Sequence, residues 1–155
     1  TTVLFYMGTQ AEAERNPAVA EQRYREVLAI EPDNFLALNN LAMLLVQQKK
    51  PGAVPLAERA VERAQEKATY LDTLAQAYAA ENNLAKAVEA QRRAVSLAPQ
   101  EHGWRLALAK LQLQAGDKAS AKAELDKLSA LGSSFAQHVE VASLRSSLIS
   151  LATSR

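Results

Sequence analysis

The sequence lacks cysteine and has few residues that break helices or build aromatic cores. Its 155 residues include five glycines, five prolines and 5% aromatic residues, whereas 48% are hydrophobic. The absence of cysteine excludes disulfides and thiolate chemistry. Because glycine and proline are scarce and lie mostly near breaks in the hydrophobic pattern, the composition favours an all-α fold.

The chain also lacks a charge excess and a long apolar run. Its formal net charge is +1, so electrostatics give no reason to expect nucleic acid or an anionic membrane as a partner. No run is long and apolar enough to insert this segment into a bilayer. No signal peptide is visible, and the start at Thr1 without methionine is what an excised piece of a longer protein would give.

No catalytic pattern is found. The sequence contains neither a glycine-rich phosphate loop nor a G-x-S-x-G motif. His102 and His138 each lack a second ligand three or four residues away. We therefore expect no enzyme activity, no metal and no cofactor.

The most regular stretch, residues 68–101, predicts two amphipathic helices. Leu71, Leu74 and Tyr78 fall on one helical face, and Glu81-Asn82-Asn83 breaks the pattern. The second helix ends before Pro99, because a proline disfavours helical geometry in the preceding residue. One such pair cannot bury both of its faces, so the pattern predicts neighbouring copies.

Four sets of residues recur along the chain with spacings of 33 or 34. They are Met7, Leu41, Leu74 and Leu108; Gly8, Ala42, Ala75 and Ala109; Ala20, Ala53, Ala87 and Ala121; and Val27, Ala60, Ala94 and Leu128. The small residues in the second set predict a close approach between the two helices of each pair. This is the period of tetratricopeptide repeats (TPR), and the chain resembles that family over nearly its whole length.

The resemblance implies one array over residues 1–155. It implies an all-α, right-handed α-solenoid of four helix pairs, at residues 1–34, 35–67, 68–101 and 102–135, and a C-terminal capping helix at 136–151. The apolar stripe of the cap is Val141, Leu144, Leu148 and Leu151. Its remaining positions are largely polar, as expected for a helix with one face in water.

The resemblance also implies a concave groove lined by the first helix of each pair. The family's groove positions give Phe5, Tyr6, Thr9, Asn39, Asn40, Met43, Gln47, Thr69, Asp72, Thr73, Gln76, Leu106, Lys110, Leu113 and Gln114. The candidate partner-binding residues among them are Tyr6, Asn39, Asn40, Met43, Asp72, Gln76 and Lys110. An asparagine amide both donates and accepts, so it can pair with a peptide backbone of any sequence. The alternative is that Asn40 only ties helices together within the array.

A carboxylate clamp of the chaperone type is not expected. Asn40 matches the clamp's asparagine, but Phe5, Thr69 and Thr73 occupy positions where lysine or arginine would be needed.

Three stretches resemble a narrower group, the C-terminal arrays of bacterial TPR lipoproteins of the exosortase (PEP-CTERM) system. They are residues 38–42 (LNNLA), 71–75 (LDTLA) and 115–118 (AGDK) followed by AKAELDKLSAL. Ala75 and Met43 depart from the glycine and tryptophan usual in that group. This resemblance implies a cell-envelope location and a role in exopolysaccharide export or protein sorting.

The sequence therefore favours a protein–protein interaction scaffold that binds a peptide or protein segment in its groove. The alternative is a structural, self-associating segment of a longer solenoid. Leu4, Phe5, Tyr6 and Met7 are consecutive, which is unusual for a free array end. We expect Leu4 and Met7 to pack on the second helix of their own repeat, which carries Tyr24 and Val27. Phe5 and Tyr6 would then face the groove or a missing neighbour, which would be preceding repeats or another copy of the chain.

Overall fold

The chain folds into α-helices. The computed structural model describes residues 1–65 and 67–153, without the side chains of residues 150–153. Within these residues there are nine α-helices, one short 3₁₀ turn at Gly132–Ser134 and no strand. The helices are α1 Thr2–Ala13, α2 Pro17–Ile30, α3 Phe35–Gln47, α4 Ala53–Arg63, α5 Ala68–Ala80, α6 Leu84–Leu97, α7 His102–Gln114, α8 Lys118–Ser129 and α9 His138–Thr153. The predicted all-α fold is confirmed; Leu151, predicted in the stripe of the cap, has its side chain outside the described residues.

Short polar side chains fix where most second helices begin. The side chains of Asn16, Asn83 and Asp117 accept hydrogen bonds from the backbone N–H groups three residues later, at 3.3, 3.4 and 3.0 Å. Each bond satisfies a donor that the first turn of a helix would otherwise leave free. In α4 this cap is replaced by Gly52, whose φ of 93° only glycine adopts readily.

In each predicted pair, the turn between the two helices contains one residue with left-handed backbone geometry. Arg15, Lys49, Asn82 and Gly116 all have positive φ, between 54° and 84°. In three of these turns the amide that follows the left-handed residue donates back to a helix carbonyl, for example Asn16 N–H to Ala11 O at 2.8 Å. This bonding pattern ends the first helix and reverses the chain.

The four small residues predicted at the close approach of the paired helices are buried. Ala42, Ala75 and Ala109 are fully buried, and Gly8 is also buried, with an added Cβ that would lie 2.7 Å from the ring of Tyr24. The close-approach set is therefore confirmed as a set of buried small residues. In the first pair the small residue is a glycine because the residue opposite is a tyrosine.

The described chain forms two compact units, Thr1–Asn82 and Asn83–Arg155. The first unit holds α1 to α5, with α1 packed on α2 and α3 on α4. The second holds α6 to α9, with α7 packed on α6 and α8, and α9 on α8. The division falls between α5 and α6, inside the third predicted repeat, and the single array over 1–155 stays a prediction.

The second unit has its own apolar core beneath α9. Leu106, Ala109, Leu125 and Val141 are buried together there, with Leu144 and Leu148 partly buried against them. The predicted stripe of the capping helix thus faces the core. Arg145 of α9 also pairs with Asp126 of α8 at 2.7 Å.

The start of the chain packs in a different register from the predicted one. The ring of Phe5 lies 5.6 Å from that of Tyr24, whereas Met7 is 40% exposed. Phe5, expected to face the groove or a missing neighbour, packs on α2 instead, so that expectation was wrong. Gly8 is the reason, because its missing side chain lets the Tyr24 ring occupy the space beside α1.

Candidate partner-binding site

A pocket of about 610 Å³ lies in the first unit, between the end of α1 and the length of α3. Its lining residues are Glu12, Arg15, Pro17, Asn39, Asn40, Met43, Leu44, Gln47 and Gln48. Three predicted site residues, Asn39, Asn40 and Met43, are brought together here, and Gln47 of the predicted groove joins them. The volume lies within the range of pockets that hold small ligands or a few peptide residues.

A chain of hydrogen bonds runs through this pocket in one direction. The Asn39 amide donates to Asn40 Oδ1 at 3.3 Å, and the Asn40 amide donates to the Tyr24 hydroxyl at 3.2 Å. The Tyr24 hydroxyl donates to Glu12 Oε2 at 3.0 Å. Asn40 therefore ties α3 to α2, which was the structural alternative considered for it, and it lines the pocket as well.

Burial has the largest influence on the pKa values of the two ionisable groups at this end of the pocket, Glu12 and Tyr24. Burial raises the pKa of Glu12 from its ordinary value, and the hydrogen bond from Tyr24 opposes that shift. Burial also raises the pKa of Tyr24 strongly, and the hydrogen bond from Asn40 opposes it. The tyrosine hydroxyl is the donor, and a carboxyl oxygen of Glu12 is its acceptor.

Two amide atoms of the pocket residues are unsatisfied. Asn39 Oδ1 and Gln48 Nε2 are buried and have no hydrogen-bond partner within the described part of the chain. An unpaired buried polar group costs about 1–3 kcal/mol. Both residues line the pocket, so an occupant with a complementary donor and acceptor would satisfy these atoms.

The other predicted site residues lie elsewhere. Tyr6 is on α1 and 67% exposed. Gln76 donates to Asp72 Oδ2 at 2.8 Å, so these two residues pair along α5. Lys110 is in the second unit, where it forms an ion pair with Glu140 of α9.

Two groove expectations were wrong. Thr73 is only 2% exposed and its hydroxyl donates to Thr69 O at 3.4 Å within α5. Leu106 is 4% exposed, in the core beneath α9. A cap helix packs over Leu106, which the family's groove positions alone do not reveal.

Sequence reasoning missed the acidic end of the pocket. Glu12 occupies the twelfth position of the first repeat, which belongs to the groove set but had no candidate named for it. Tyr24 was expected only as a core residue. Its hydroxyl reaches Glu12 because the Gly8 position leaves room for the ring, and the spacing of apolar residues carries no signal for that.

The described residues form neither a candidate metal site nor a membrane-spanning helix. Within residues 1–65 and 67–153, no three His, Asp or Glu side chains are placed to hold a metal ion. No helix in that part of the chain is long and apolar enough to cross a membrane.

Solved structures resemble this fold. MamA (residues 41 to the end) from Desulfovibrio magneticus RS-1 matches 84% of this chain and 75% of its own, with 26% identity and a TM-score of 0.79. TTC0263, a thermophilic TPR protein of Thermus thermophilus, matches 95% of this chain and 80% of its own, with 20% identity and a TM-score of 0.70. Naa15/Naa10 bound to HypK-THB matches 96% of this chain and 23% of its own, with 19% identity and a TM-score of 0.70.

No protein-family model and no curated protein matches the sequence. The solved neighbours are of the TPR type, and this chain shares their all-helical fold. They suggest a protein–protein interaction scaffold. These neighbours are mostly non-enzymatic.

Proposed function

We propose that this chain is an interaction scaffold that binds an extended peptide or protein segment in the pocket of its first unit. The observation that carries this is the pair of unsatisfied amide atoms at Asn39 and Gln48. A peptide backbone offers one donor and one acceptor per residue, which complements a free carbonyl oxygen and a free amide nitrogen.

The spacing fits a short segment. Residues 39 and 48 are nine residues apart along α3, which is about 14 Å at the helical rise. About four residues of extended chain span that distance. Among the neighbours, the Naa15/Naa10 structure is bound to HypK-THB, so a chain with this fold can hold a protein partner.

The test is a peptide-display selection of seven-residue peptides on the 155-residue protein, followed by affinity measurement. We expect Asn39→Ala to weaken the selected peptides about tenfold, because it removes one hydrogen bond to a buried group. Asn39 is preferred to Asn40, because Asn40 also holds Tyr24.

The matched control is Gln22→Ala, an exposed amide on α2 that bonds only Glu26 and lies outside this pocket's lining. It should leave affinity unchanged. Selected peptides that bind Asn39→Ala as tightly as the unaltered protein would refute the pocket as the binding site.

A second function, self-association through the N-terminal repeat, is favoured by the exposed face of α1. Val3 is 71% exposed, Tyr6 67% and Met7 40%, at spacings that place them on one side of the helix. Sedimentation at several concentrations tests it. We expect a concentration-dependent increase in mass that Val3→Glu abolishes, whereas Val19→Glu on α2 retains it.

We propose a bacterial cell-envelope location and an exopolysaccharide or protein-sorting context as well. The support for this is the resemblance of residues 38–42, 71–75 and 115–118 to the exosortase-system lipoproteins. Fractionation of cells that express the full-length gene product tests it, and recovery in the cytosol alone would refute it.

A further inference from the structure

Glu12 differs from Glu21 and Glu124, two other carboxylates that are at least partly buried, in having no cation beside it within the described residues. Glu21 bonds Lys50 at 2.7 Å and also pairs with Arg25. Glu124 bonds Arg105 at 2.7 Å and Lys127 at 3.1 Å. Within the described residues, Glu12 receives only the neutral hydroxyl of Tyr24.

A charge withdrawn from water without a counter-charge raises the free energy of the folded state. The raised pKa of Glu12 reflects this environment. The cation nearest in sequence, Arg15, lines the same pocket but is exposed and forms no ion pair within the described residues. Water screens an exposed charge more than a part-buried one, so Glu12 dominates the field inside the pocket.

The direction of the hydrogen bonds leaves two acceptor atoms at this end of the pocket without a donor from the described residues. The amides of Asn39 and Asn40 and the hydroxyl of Tyr24 all donate within the chain. Glu12 Oε1 accepts no bond from the described residues, and Asn39 Oδ1 also lacks a donor. This end of the pocket therefore offers acceptors to an occupant that supplies a donor.

The walls beside Glu12 suit a long aliphatic stem. Met43 and Leu44 line the pocket on α3. Lysine and arginine bury their methylene stems against apolar surface while the charged head reaches a polar group. A methionine adapts to different stem conformations because its side chain is unbranched and flexible.

Resting on the proposed function, we propose that the pocket selects a segment carrying a lysine or arginine, whose charged head pairs with Glu12 while its stem lies on Met43 and Leu44. Glu12 is then the residue that determines specificity, and the amides at Asn39 and Gln48 hold the backbone of any sequence. The titratable and charged groups that face the basic head are Glu12, Tyr24 and Arg15.

The experiment uses peptides selected by display on the 155-residue protein. We expect lysine or arginine to be enriched at one position, and replacing that residue by norleucine to weaken binding about tenfold, because a charge-assisted hydrogen bond is lost. The affinity of the basic peptide should fall between about 50 and 500 mM NaCl, and that of the norleucine peptide should stay nearly constant.

The variant Glu12→Gln should bind the basic and norleucine peptides within about twofold of each other. Its amide oxygen can still accept from Tyr24, so the hydrogen-bond chain is retained. Glu14→Gln is the matched control, since Glu14 is an exposed acid two residues away and outside the pocket lining, and it should keep the full preference.

Three outcomes would overturn the inference: enrichment of acidic residues, equal binding of the norleucine peptide by the unaltered protein, or an undiminished preference in Glu12→Gln. If the peptides depend on Asn39 but not on their basic residue, only this inference fails. If they do not depend on Asn39 either, the proposed function fails with it. Should Glu12→Gln not fold, the norleucine and salt comparisons on the unaltered protein decide.

Discussion

The first and fourth helix pairs fill the same two repeat positions with different side chains. In the first pair Gly8 lies against Tyr24, and in the fourth Ala109 is buried with Leu125. Both Tyr24 and Leu125 are fully buried. The two side chains divide the space between the paired helices differently, because a glycine in the first helix leaves room for a tyrosine in the second.

That exchange of size has a chemical consequence. Leu125 ends within apolar neighbours, so the fourth pair has only packing at this position. Tyr24 carries a hydroxyl beyond its ring, and the hydroxyl joins Glu12 to Asn40. A change of side chain at one buried repeat position thus determines whether the surface beside it is polar and organised.

The two pairs also differ in how their carboxylates are paired. Glu124 in the fourth pair is held by Arg105 at 2.7 Å. Glu12 in the first pair has no such partner within the described residues. The fourth pair compensates its part-buried charge internally, whereas within the described residues the first pair does not.

The largest effect should come from removing the apolar anchor of the fourth pair. Leu125→Ala deletes a fully buried side chain and leaves a cavity, so we expect a loss of about 3 kcal/mol in the free energy of unfolding. Chemical denaturation measures it. A loss below about 1 kcal/mol would mean that the core beneath α9 rearranges to fill the space.

Gly8→Ala should be the next most harmful change. The new Cβ would lie 2.7 Å from Tyr24 Cε1, and overpacking of this kind costs about 1–3 kcal/mol. The double variant Gly8→Ala, Tyr24→Leu copies the fourth pair and should recover part of the loss, as thermal denaturation would reveal.

Gly103→Ala is the control for that experiment, because nothing lies within 4 Å of the added Cβ and the residue is in α7. It should be neutral or stabilising, as alanine favours helix. If Gly8→Ala proved equally harmless, the close approach of α1 to Tyr24 would be wrong.

Tyr24→Phe tests the polar side of the comparison alone. It keeps the ring and removes the hydroxyl that accepts from Asn40 and donates to Glu12. We expect a loss of about 1 kcal/mol in unfolding free energy. Tyr6→Phe, at a 67% exposed position, should change stability by less than about 0.5 kcal/mol.

The smallest effects should come from lowering the pH, which should change the stability contributions of Glu124 and Glu12 in opposite directions. Burial tends to raise the pKa of Glu124, but hydrogen bonds from Arg105 and Lys127 outweigh it and hold that pKa below its usual range. Its pairing therefore stabilises the fold at pH above the usual carboxyl pKa, and this is lost as pH falls through the folded-state pKa. The raised pKa of Glu12 means that its ionised form costs stability above that pKa, and acid relieves the cost.

Unfolding free energies between about pH 7 and pH 3 would check this against the variants Glu124→Gln and Glu12→Gln. Relative to Glu124→Gln, the unaltered protein should lose about 0.5–1 kcal/mol of its advantage in acid. Relative to Glu12→Gln, the unaltered protein should gain unfolding free energy as the pH falls. Parallel pH profiles for the two variants would contradict the assigned difference in pairing.

Periodicity predicted most of the fold because it records burial directly. The recurrence of residues such as Gly8 and Ala42, together with breaks such as Glu81-Asn82-Asn83, predicted the helices and the turns between them. The register of α1 was predicted wrongly at Phe5, since four consecutive apolar residues leave the buried face ambiguous.

The candidate site was only partly predictable. The family's groove positions indicated Asn39, Asn40 and Met43, all of which line the pocket. The same positions misplaced Thr73 and Leu106, because packing specific to this chain buries them.

By itself, the sequence determined the helices and the small residues at each close approach, because these depend on local spacing and on which side chains avoid water. Only the tertiary structure decided that Tyr24 reaches past Gly8 to Glu12, and that Glu12 has no cation beside it in the described chain while Glu124 has two. Most of these contacts join residues on different helices. Their partners are set by side-chain direction and available volume, and a linear pattern of apolar and polar residues records neither quantity.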